Sequence, residues 1–567
     1  MKTYMKIKIF TVFSLALLLM NNACTDHFEE LNTPNNLVTE DLVNIDLMFT
    51  LVQYRSIVSE TPNGAGTIGN YCGYATSCAN RPFQSGDSPG VWNSAYGSRL
   101  NNLSEIIRLC QKDSETAPDL VNKKAIARIM KVWVFAKVTD TYGDIPYFES
   151  CLPQSEAVYR PKYDTQKSIY EDFFKELKEA AAELDESKES YGSADLMYGG
   201  DVVKWKKLAN SLRLRLALRV RYADAALATA NMSDLTEADL ITTMEDDAYI
   251  YTCTDFEENQ NALYNRIVSN QGQGETGCWN LGKTMLDILI GNGDPHNPAD
   301  PRIGIYADTA KATWIAEHDT TFGYRGHPVL GYVPVEIKYS YGGRSCSERP
   351  PFWFVAVIER PILRCSEVYF SLAEAALFGL KGTSADANAY YQLGIDRAIE
   401  WSQDFYNKCA PQMHETIQIY DDSTWTDAAY NTYMAEKEIT QAEVDAFKLN
   451  AVYTLSGTQE EQLEQLINQK VVALHPLEYQ GWAEWRRTGY PRVLVGPDTD
   501  HLLGVCKRRM MWPNQEQQVN SDSYAEALAR LGVEDNELAK VWWDVNPAAP
   551  HEHPGEVESR SAPWVGK

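Results

Sequence analysis

The stretch KWKKLANSLRLRLALRV, residues 204–220, decides the fold class of this chain. Its large apolar residues Trp205, Leu208, Leu212 and Leu216 recur at intervals of three and four. Side chains with that spacing lie on one face of an α-helix. The stretch therefore predicts a helix whose apolar stripe packs against other helices.

Basic residues flank this stripe on both sides. They could form a strip for phosphate or nucleic acid, or they could pair with acids on neighbouring helices. The chain has 78 acidic and 52 basic residues and a formal net charge of -26, which disfavours nucleic acid as a partner. We therefore expect ion pairs. The basic residues are Lys204, Lys206, Lys207, Arg213, Arg215, Arg219 and Arg221.

The same periodicity recurs along the chain and predicts a mostly α-helical protein. Two further helices are predicted over 123–139 and 169–184 in the first third. Pairs of amphipathic helices joined by turns can stack as a solenoid, so we expect a tetratricopeptide-like arrangement with only a few short strands. Later helices are predicted over 366–380, 389–401, 459–474 and 524–531.

Three irregular stretches interrupt the helices, near residues 61–95, 250–360 and 496–513. They are rich in glycine, proline and aromatic residues, and a short strand is predicted over 333–339. Long irregular segments in a compact protein are usually functional loops. We expect them to form a loop-rich, ligand-binding half of one domain spanning 41–567.

The N-terminus predicts a lipid-anchored, secreted protein. Residues 1–23 combine lysines with a short apolar run, which is typical of a signal peptide. Ala23 precedes Cys24, which we expect to be lipidated, with residues 24–40 serving as anchor and tether. Ordinary secretion with a chance cysteine is the alternative. No later apolar run is long enough for a transmembrane helix.

Signatures of catalysis and metal binding are not found in the sequence. It has no H-E-x-x-H, G-x-S-x-G or P-loop motif and no ordered zinc spacing. Paired carboxylates could serve glycoside hydrolysis, but nothing in the sequence selects a pair. Asp294, Asn297 and Asp300 could ligate calcium, although turn capping is the favoured interpretation. We expect no catalytic residue, no metal and no cofactor.

Seven segments in order resemble the SusD/RagB family of outer-membrane nutrient-binding lipoproteins, especially its SusD-like, starch-binding-associated subgroup. They are DTYGDIPY (140–147), YDTQKSIY (163–170), MYGGDVVKWKKLANSLRLRLA (197–217), DPR (300–302), ERPILRCSEVYFSLAEAALFGL (359–380), QKVVALHPLEYQGWAEWRRTGYP (469–491) and MWPNQE (511–516). The resemblance implies a helical body, no catalysis and a location on the outer membrane, facing the exterior. It also implies a partner, a SusC-like TonB-dependent β-barrel transporter that receives the captured glycan. A peptide or glycopeptide receptor, a glycan hydrolase and a purely structural lipoprotein stay open as alternatives.

A glycan receptor needs exposed rings for sugar faces and fixed polar groups for hydroxyls. The loops supply both kinds of residue. For Trp92, the helical spacing of Trp92, Tyr96 and Leu100 also allows a place in the core. The predicted ligand contacts are Tyr71, Tyr74, Asn80, Arg81, Phe83, Trp92, Asn93, Trp279, Asn280, Tyr324, Tyr341 and Arg344.

Overall fold

The computed structural model describes residues 43–58, 68, 73–74, 89–112, 120–153, 156–269, 280–310, 323–326, 346–420, 425–493 and 507–549. By compactness the chain divides into residues 1–47 and 48–567. Of the first unit, only residues 43–47 are described.

Helices form most of the described chain, which confirms the predicted fold class. They are α1 (Ile45–Gln53), α2 (Gly90–Ser94), α3 (Leu100–Lys112), α4 (Val121–Tyr142), α5 (Gln166–Glu183), α6 (Val202–Val220), α7 (Ala225–Ala230), α8 (Ala262–Ser269), α9 (Lys283–Ile290), α10 (Ile303–Tyr306), α11 (Cys365–Leu377), α12 (Ser384–Cys409), α13 (Met413–Tyr420), α14 (Asp427–Lys437), α15 (Gln441–Lys448), α16 (Gln459–Leu474), α17 (Glu478–Thr488), α18 (Asn514–Val519) and α19 (Ser521–Leu531). Two π-helical turns cover Tyr54–Val58 and Ala95–Arg99. Short 3-10 turns lie at Gly192–Ala194, Glu237–Asp239, Met244–Asp246, Glu257–Asn259, Pro351–Phe354, Ala410–Gln412 and Ala451–Tyr453.

Two small antiparallel pairs make up the sheet structure of the described residues. Strand β1 (Ile145–Pro146) pairs with β2 (Tyr163–Asp164). Strand β3 (Ala248–Tyr251) pairs with β4 (Glu359–Leu363), with a register shift between Ala248 and Tyr249. The predicted strand over 333–339 lies outside the described residues.

Capping side chains explain where several helices begin. The Asp201 carboxylate accepts hydrogen bonds from the backbone N–H groups of Val203 and Lys204 at the start of α6. At the start of α16, Thr458 and Glu461 form a reciprocal capping box. Such caps satisfy backbone donors that have no partner within the helix, so the local sequence determines these boundaries.

Neighbouring helices pack in sequence order, as the helix-pair prediction requires. Helix α4 packs on α3 and α5, α5 packs on α6, and α11 packs on α12 and α16. Helix α6 also contacts α11 and thereby joins the two groups. The apolar stripe of α6 is buried, since Trp205, Leu208, Leu212 and Leu216 are at most 2% exposed.

The basic residues of α6 form ion pairs with acids elsewhere in the chain. Lys207 binds Asp246 at 2.7 Å, Arg213 binds Asp234 at 2.7 Å and Arg215 binds Glu367 at 2.6 Å. Arg219 binds Asp140, and Arg221 binds Glu374 at 2.7 Å. The ion-pair interpretation is therefore confirmed for these five residues.

Candidate functional site

Four loop segments meet beside α9 and are joined through their backbones. Leu281 donates its N–H to the carbonyl of Ser347 at 2.9 Å, and Gly282 donates to the carbonyl of Tyr74 at 3.0 Å. Ser347 donates to the carbonyl of Arg325 at 2.7 Å, and the Arg325 N–H donates to the Ser347 hydroxyl at 3.0 Å. We call this set the loop junction; it comprises residues 73–74, 280–282, 323–326 and 346–349.

Two glycines allow the loops to approach this closely. A Cβ on Gly282 would lie 2.2 Å from the carbonyl oxygen of Gly73. A Cβ on Gly326 would lie 2.3 Å from the Cα of Lys283. Both distances are far below van der Waals contact, so only glycine permits this packing.

Tyr74, a predicted ligand contact, connects the junction to the helices. Its side chain is 0% exposed, and its hydroxyl donates to the carbonyl of Val471 at 2.7 Å. Its ring lies 5.3 Å from the His475 ring, and a Cβ on Gly481 would lie 2.8 Å from its hydroxyl. In this structure the ring is part of the core, and a direct contact with ligand stays a prediction.

Trp92 also lies in the core, and Asn93 beside it is exposed. The Trp92 side chain is 7% exposed, and its ring centroid lies 4.9 Å from Tyr96, 5.4 Å from Tyr142 and 5.9 Å from Tyr163. This is the core position that the helical spacing allowed. Of the two, only Asn93 presents a side chain to solvent.

Tyr324 is the half-buried ring of the loop junction. Its backbone N–H donates to the carbonyl of Pro295 at 2.9 Å, and the preceding Gly323 adopts a φ of +60°. Burial, with Asp308 nearby, raises the pKa of the Tyr324 hydroxyl well above its ordinary value. The hydroxyl therefore stays protonated and can both donate and accept a hydrogen bond.

Most other predicted site residues lie outside the described residues. Their roles stay predictions. They are Cys24, Tyr71, Asn80, Arg81, Phe83, Trp279, Tyr341 and Arg344.

Asn280 is brought into the junction, where it forms an isolated antiparallel bridge with Glu348. Its side chain is 0% exposed, and neither its Oδ1 nor its Nδ2 has a hydrogen-bond partner among the described residues. Burying such a group without a partner costs about 1–3 kcal/mol. The junction therefore keeps hydrogen-bonding capacity that the fold itself does not use.

A cavity of about 410 Å³ lies next to the junction. The two regions touch at Thr284, since a Cβ on Gly73 would lie 2.7 Å from the Thr284 Cβ. Nothing in the sequence pattern indicated this cavity, because its walls come from segments far apart in the chain. The lining residues are Thr284, Asp287, Ile288, Gly291, Ala451, Val452, Ser456, Glu464, Gln465, Asn468, Gln469, Pro491 and Arg492.

A smaller cleft of about 120 Å³ lies among α4, α6 and β4 and carries two rings, Trp133 and Tyr479. The Lys137 ammonium lies 4.2 Å from the centroid of the Tyr479 ring. Arg215 and Arg219 also line the cleft, but Glu367 and Asp140 neutralise them. Most of the remaining lining is apolar.

The two acids that could have ligated calcium, Asp294 and Asp300, instead cap a turn and pair with an arginine. The Asp294 carboxylate accepts the backbone N–H of His296 at 3.0 Å. Asp300 is buried and binds the guanidinium of Arg302 at 2.6 Å. Among the described residues, no cluster of three or more His, Cys, Asp or Glu is arranged to hold a metal ion. Within the same residues, no helix is long and apolar enough to cross a membrane.

Comparison with protein families gives one match that covers most of the chain. The SusD-like family, described as starch-binding and associating with the outer membrane, matches residues 38–513. A search of curated proteins finds no match.

Solved structures of similar fold cover nearly nine tenths of the chain. A chitin-binding protein is 27% identical, with a TM-score of 0.68, and the match covers 89% of this chain and 100% of that one. A SusD homologue from Bacteroides uniformis is 25% identical, with a TM-score of 0.61 and coverages of 88% and 98%. A chitin-binding SusD homologue from Flavobacterium johnsoniae is 22% identical, with a TM-score of 0.62 and coverages of 88% and 99%, and shows the shared fold alone.

Proposed function

Because the chain belongs to the SusD-like family of starch-binding proteins that associate with the outer membrane, we propose that it is a cell-surface lipoprotein that binds an oligosaccharide. It delivers this glycan to a SusC-like TonB-dependent transporter for uptake. The family match over residues 38–513 carries the proposal. The likeness to a chitin-binding protein, at 27% identity, supports a glycan as the ligand.

The loop junction is the proposed binding face. It combines the half-buried Tyr324 with the unpartnered amide of Asn280 on a frame of backbone hydrogen bonds. Tyr71, Trp279 and Arg344 each stand within two residues of a junction segment in the sequence. Aromatic rings can pack on the C–H face of a sugar, and polar side chains can form hydrogen bonds with its hydroxyls.

Binding is tested by isothermal titration of the purified protein with maltoheptaose and chitohexaose, which are fragments of starch and chitin. We expect saturable binding of at least one of them, and weaker binding by Tyr324→Ala. Substitution of Tyr159, a ring that is 92% exposed on another loop, provides the matched control. Binding of peptides from a casein digest but of neither glycan would replace this proposal with the peptide-receptor alternative.

The same glycans test whether the protein only binds. After prolonged incubation we expect their chain lengths to be unchanged by chromatography. Release of shorter products would favour the hydrolase alternative instead.

Anchoring and delivery need separate tests in cells. Cys24→Ala should move the protein from the membrane fraction into the soluble fraction, and the wild type should co-purify with a TonB-dependent barrel. Full retention of the Cys24→Ala protein without its partner would contradict the lipid anchor. Wild-type assembly with the barrel but no loss of glycan uptake on removal of the protein would contradict delivery.

A further inference from the structure

Helix α14 is joined to the loop junction through a short segment that contains Asp308. The backbone N–H of Asp308 donates to the carbonyl of Glu348 in the junction at 2.9 Å. The N–H of Ala310 donates to the carbonyl of Gly323, also in the junction, at 2.8 Å. On the other side, the Asp308 carboxylate binds the ammonium of Lys437, on α14, at 2.6 Å. The segment therefore holds α14 beside the junction.

Helix α14 lies at the surface and carries partly exposed aromatic rings. Of its 11 residues, only Met434 and Lys437 are buried. Tyr433 on this helix and Trp425 just before it are half-buried. Their ring centroids lie 5.4 Å apart, and the two rings meet at an angle of 81°. Rings that stay partly open to solvent can pack on the C–H faces of a sugar.

The Asp308 carboxylate is a fixed hydrogen-bond acceptor next to these rings. The Tyr433 hydroxyl donates to it and lies 3.1 Å from Oδ1 and 3.3 Å from Oδ2. Among the described residues, its side-chain donors are Tyr433 and Lys437, whereas a carboxylate has about four acceptor positions. The Asp308 side chain is 16% exposed. A hydroxyl group arriving from solvent can therefore donate to this carboxylate.

The charges around the rings favour a neutral ligand. Lys437 neutralises Asp308, but Glu436 and Glu443 are exposed on α14 and α15. Together with burial and Asp308, these two acids raise the pKa of the Tyr324 hydroxyl, so their charges lie near the Tyr324 ring. An acidic surround of this kind repels sugars that carry carboxylate or sulfate groups.

We propose that Trp425, Tyr433 and Asp308 form a further contact region of the glycan site, which we call the α14 wall. It binds one neutral sugar residue of an oligosaccharide that also contacts Tyr324. The two rings pack on the C–H faces of the sugar, and the Asp308 carboxylate accepts a hydrogen bond from one of its hydroxyls. The inference rests on the proposed function, because the α14 wall is tied to the loop junction.

The test compares Trp425→Leu with Trp425→Phe by isothermal titration, using whichever of maltoheptaose and chitohexaose binds the wild type. Leucine is apolar but has no ring, so Trp425→Leu should weaken binding about tenfold. Trp425→Phe keeps a ring and should weaken binding by about threefold or less. Tyr430→Leu is the matched control, because Tyr430 is a half-buried residue of α14 whose ring lies 5.3 Å from that of His414. Its affinity should equal that of the wild type.

The outcomes separate the two proposals. Unchanged affinity of Trp425→Leu, with normal wild-type binding, overturns the α14 wall and leaves glycan binding intact. Equal weakening by Trp425→Leu and Tyr430→Leu also overturns it, since binding would then depend on the helix as a whole. Failure of the wild type to bind either oligosaccharide overturns glycan binding and the α14 wall together. Should Trp425→Leu fold poorly, a crystal structure of the wild type with the bound oligosaccharide decides: a sugar packed on the Trp425 ring supports the α14 wall, and a sugar bound only elsewhere overturns it.

Discussion

Asn122 lies in α4, among the packed helices that we call the helical scaffold, and Asn280 lies in the loop junction. Both side chains are 0% exposed, but one is fully hydrogen-bonded and the other is not. The Asn122 amide donates to the carbonyls of Asp185, Lys188 and Glu189, and its Oδ1 accepts the N–H of Asp185. The Asn280 amide has no partner among the described residues. Asn122 thus fixes a neighbouring loop, whereas the Asn280 amide stays available. The contrast belongs to these two side chains, because buried atoms elsewhere, such as both ring nitrogens of His475, also have no hydrogen-bond partner among the described residues.

Buried charges show the same difference. In the scaffold, Glu374 accepts hydrogen bonds from Arg221 at 2.7 Å and from Arg487 at 2.5 and 2.6 Å, and all three residues are buried. These guanidiniums hold the pKa of Glu374 well below its usual range despite its burial. In the junction, the buried Asn280 amide has no hydrogen-bond partner among the described residues. We interpret the first region as structural and the second as prepared for a ligand.

The largest effect is expected from breaking the scaffold network. Glu374→Ala removes the carboxylate that two buried guanidiniums share, and only Arg487 keeps a second one, that of Glu484. It should lower the free energy of unfolding by about 3–5 kcal/mol, as measured by urea denaturation. Glu400→Ala removes an exposed ion pair with Arg397 and should cost about 0–1 kcal/mol. Equal losses in the two variants would contradict the structural role of the network.

The two asparagines test the comparison directly. Asn122→Leu should lower the free energy of unfolding by about 1–3 kcal/mol, because it leaves three backbone carbonyls and one backbone N–H without the hydrogen-bond partner they have in the wild type. Asn280→Leu should leave it unchanged or raise it by a similar amount, while weakening glycan binding. A destabilised Asn280→Leu protein would show that this amide serves the fold after all.

Glycine substitutions test the close packing of the junction. In Gly282→Ala the new methyl meets the Gly73 carbonyl at 2.2 Å, and we expect a loss of about 1–3 kcal/mol together with weaker glycan binding. Gly97→Ala meets nothing within 4 Å and lies in a helical turn, so it should stabilise the protein by about 0.5–1 kcal/mol. Equal shifts in Tm for Gly282→Ala and Gly97→Ala would contradict the close packing of the junction.

The sequence predicted the scaffold far better than the junction, for a physical reason. Helix α16 spans the residues predicted for it, and α4 extends the predicted helix by only a few residues, because an apolar stripe repeats locally. Tyr74 looked like an exposed loop ring, yet glycines at 73 and 481 let it enter the core. The cavity beside the junction carried no signal in the sequence, since its walls come from segments far apart in the chain.

The last comparison concerns Asp247, a buried scaffold acid that differs from Glu374. It accepts the N–H of Cys365 at 2.6 Å, and within the described residues it forms no ion pair. Burial raises its pKa to about 8, against about 3.9 in the unfolded chain. Between these values the folded protein binds more protons than the unfolded one, so this group lowers stability as pH rises from about 4 to about 8.

Asp247→Asn should remove this pH-dependent loss of stability, and its side-chain oxygen can still accept the hydrogen bond from the Cys365 N–H. Urea denaturation from pH 5 to pH 7 should show that the difference in stability between variant and wild type grows with pH, by at most ~1.4 kcal/mol per pH unit. Asp445→Asn, on an exposed position of α15, is the control and should run parallel to wild type. A constant difference in stability between Asp247→Asn and wild type would mean that the carboxylate is already ionised across this pH range. The scaffold would then stabilise the charged form of Asp247 as it stabilises that of Glu374.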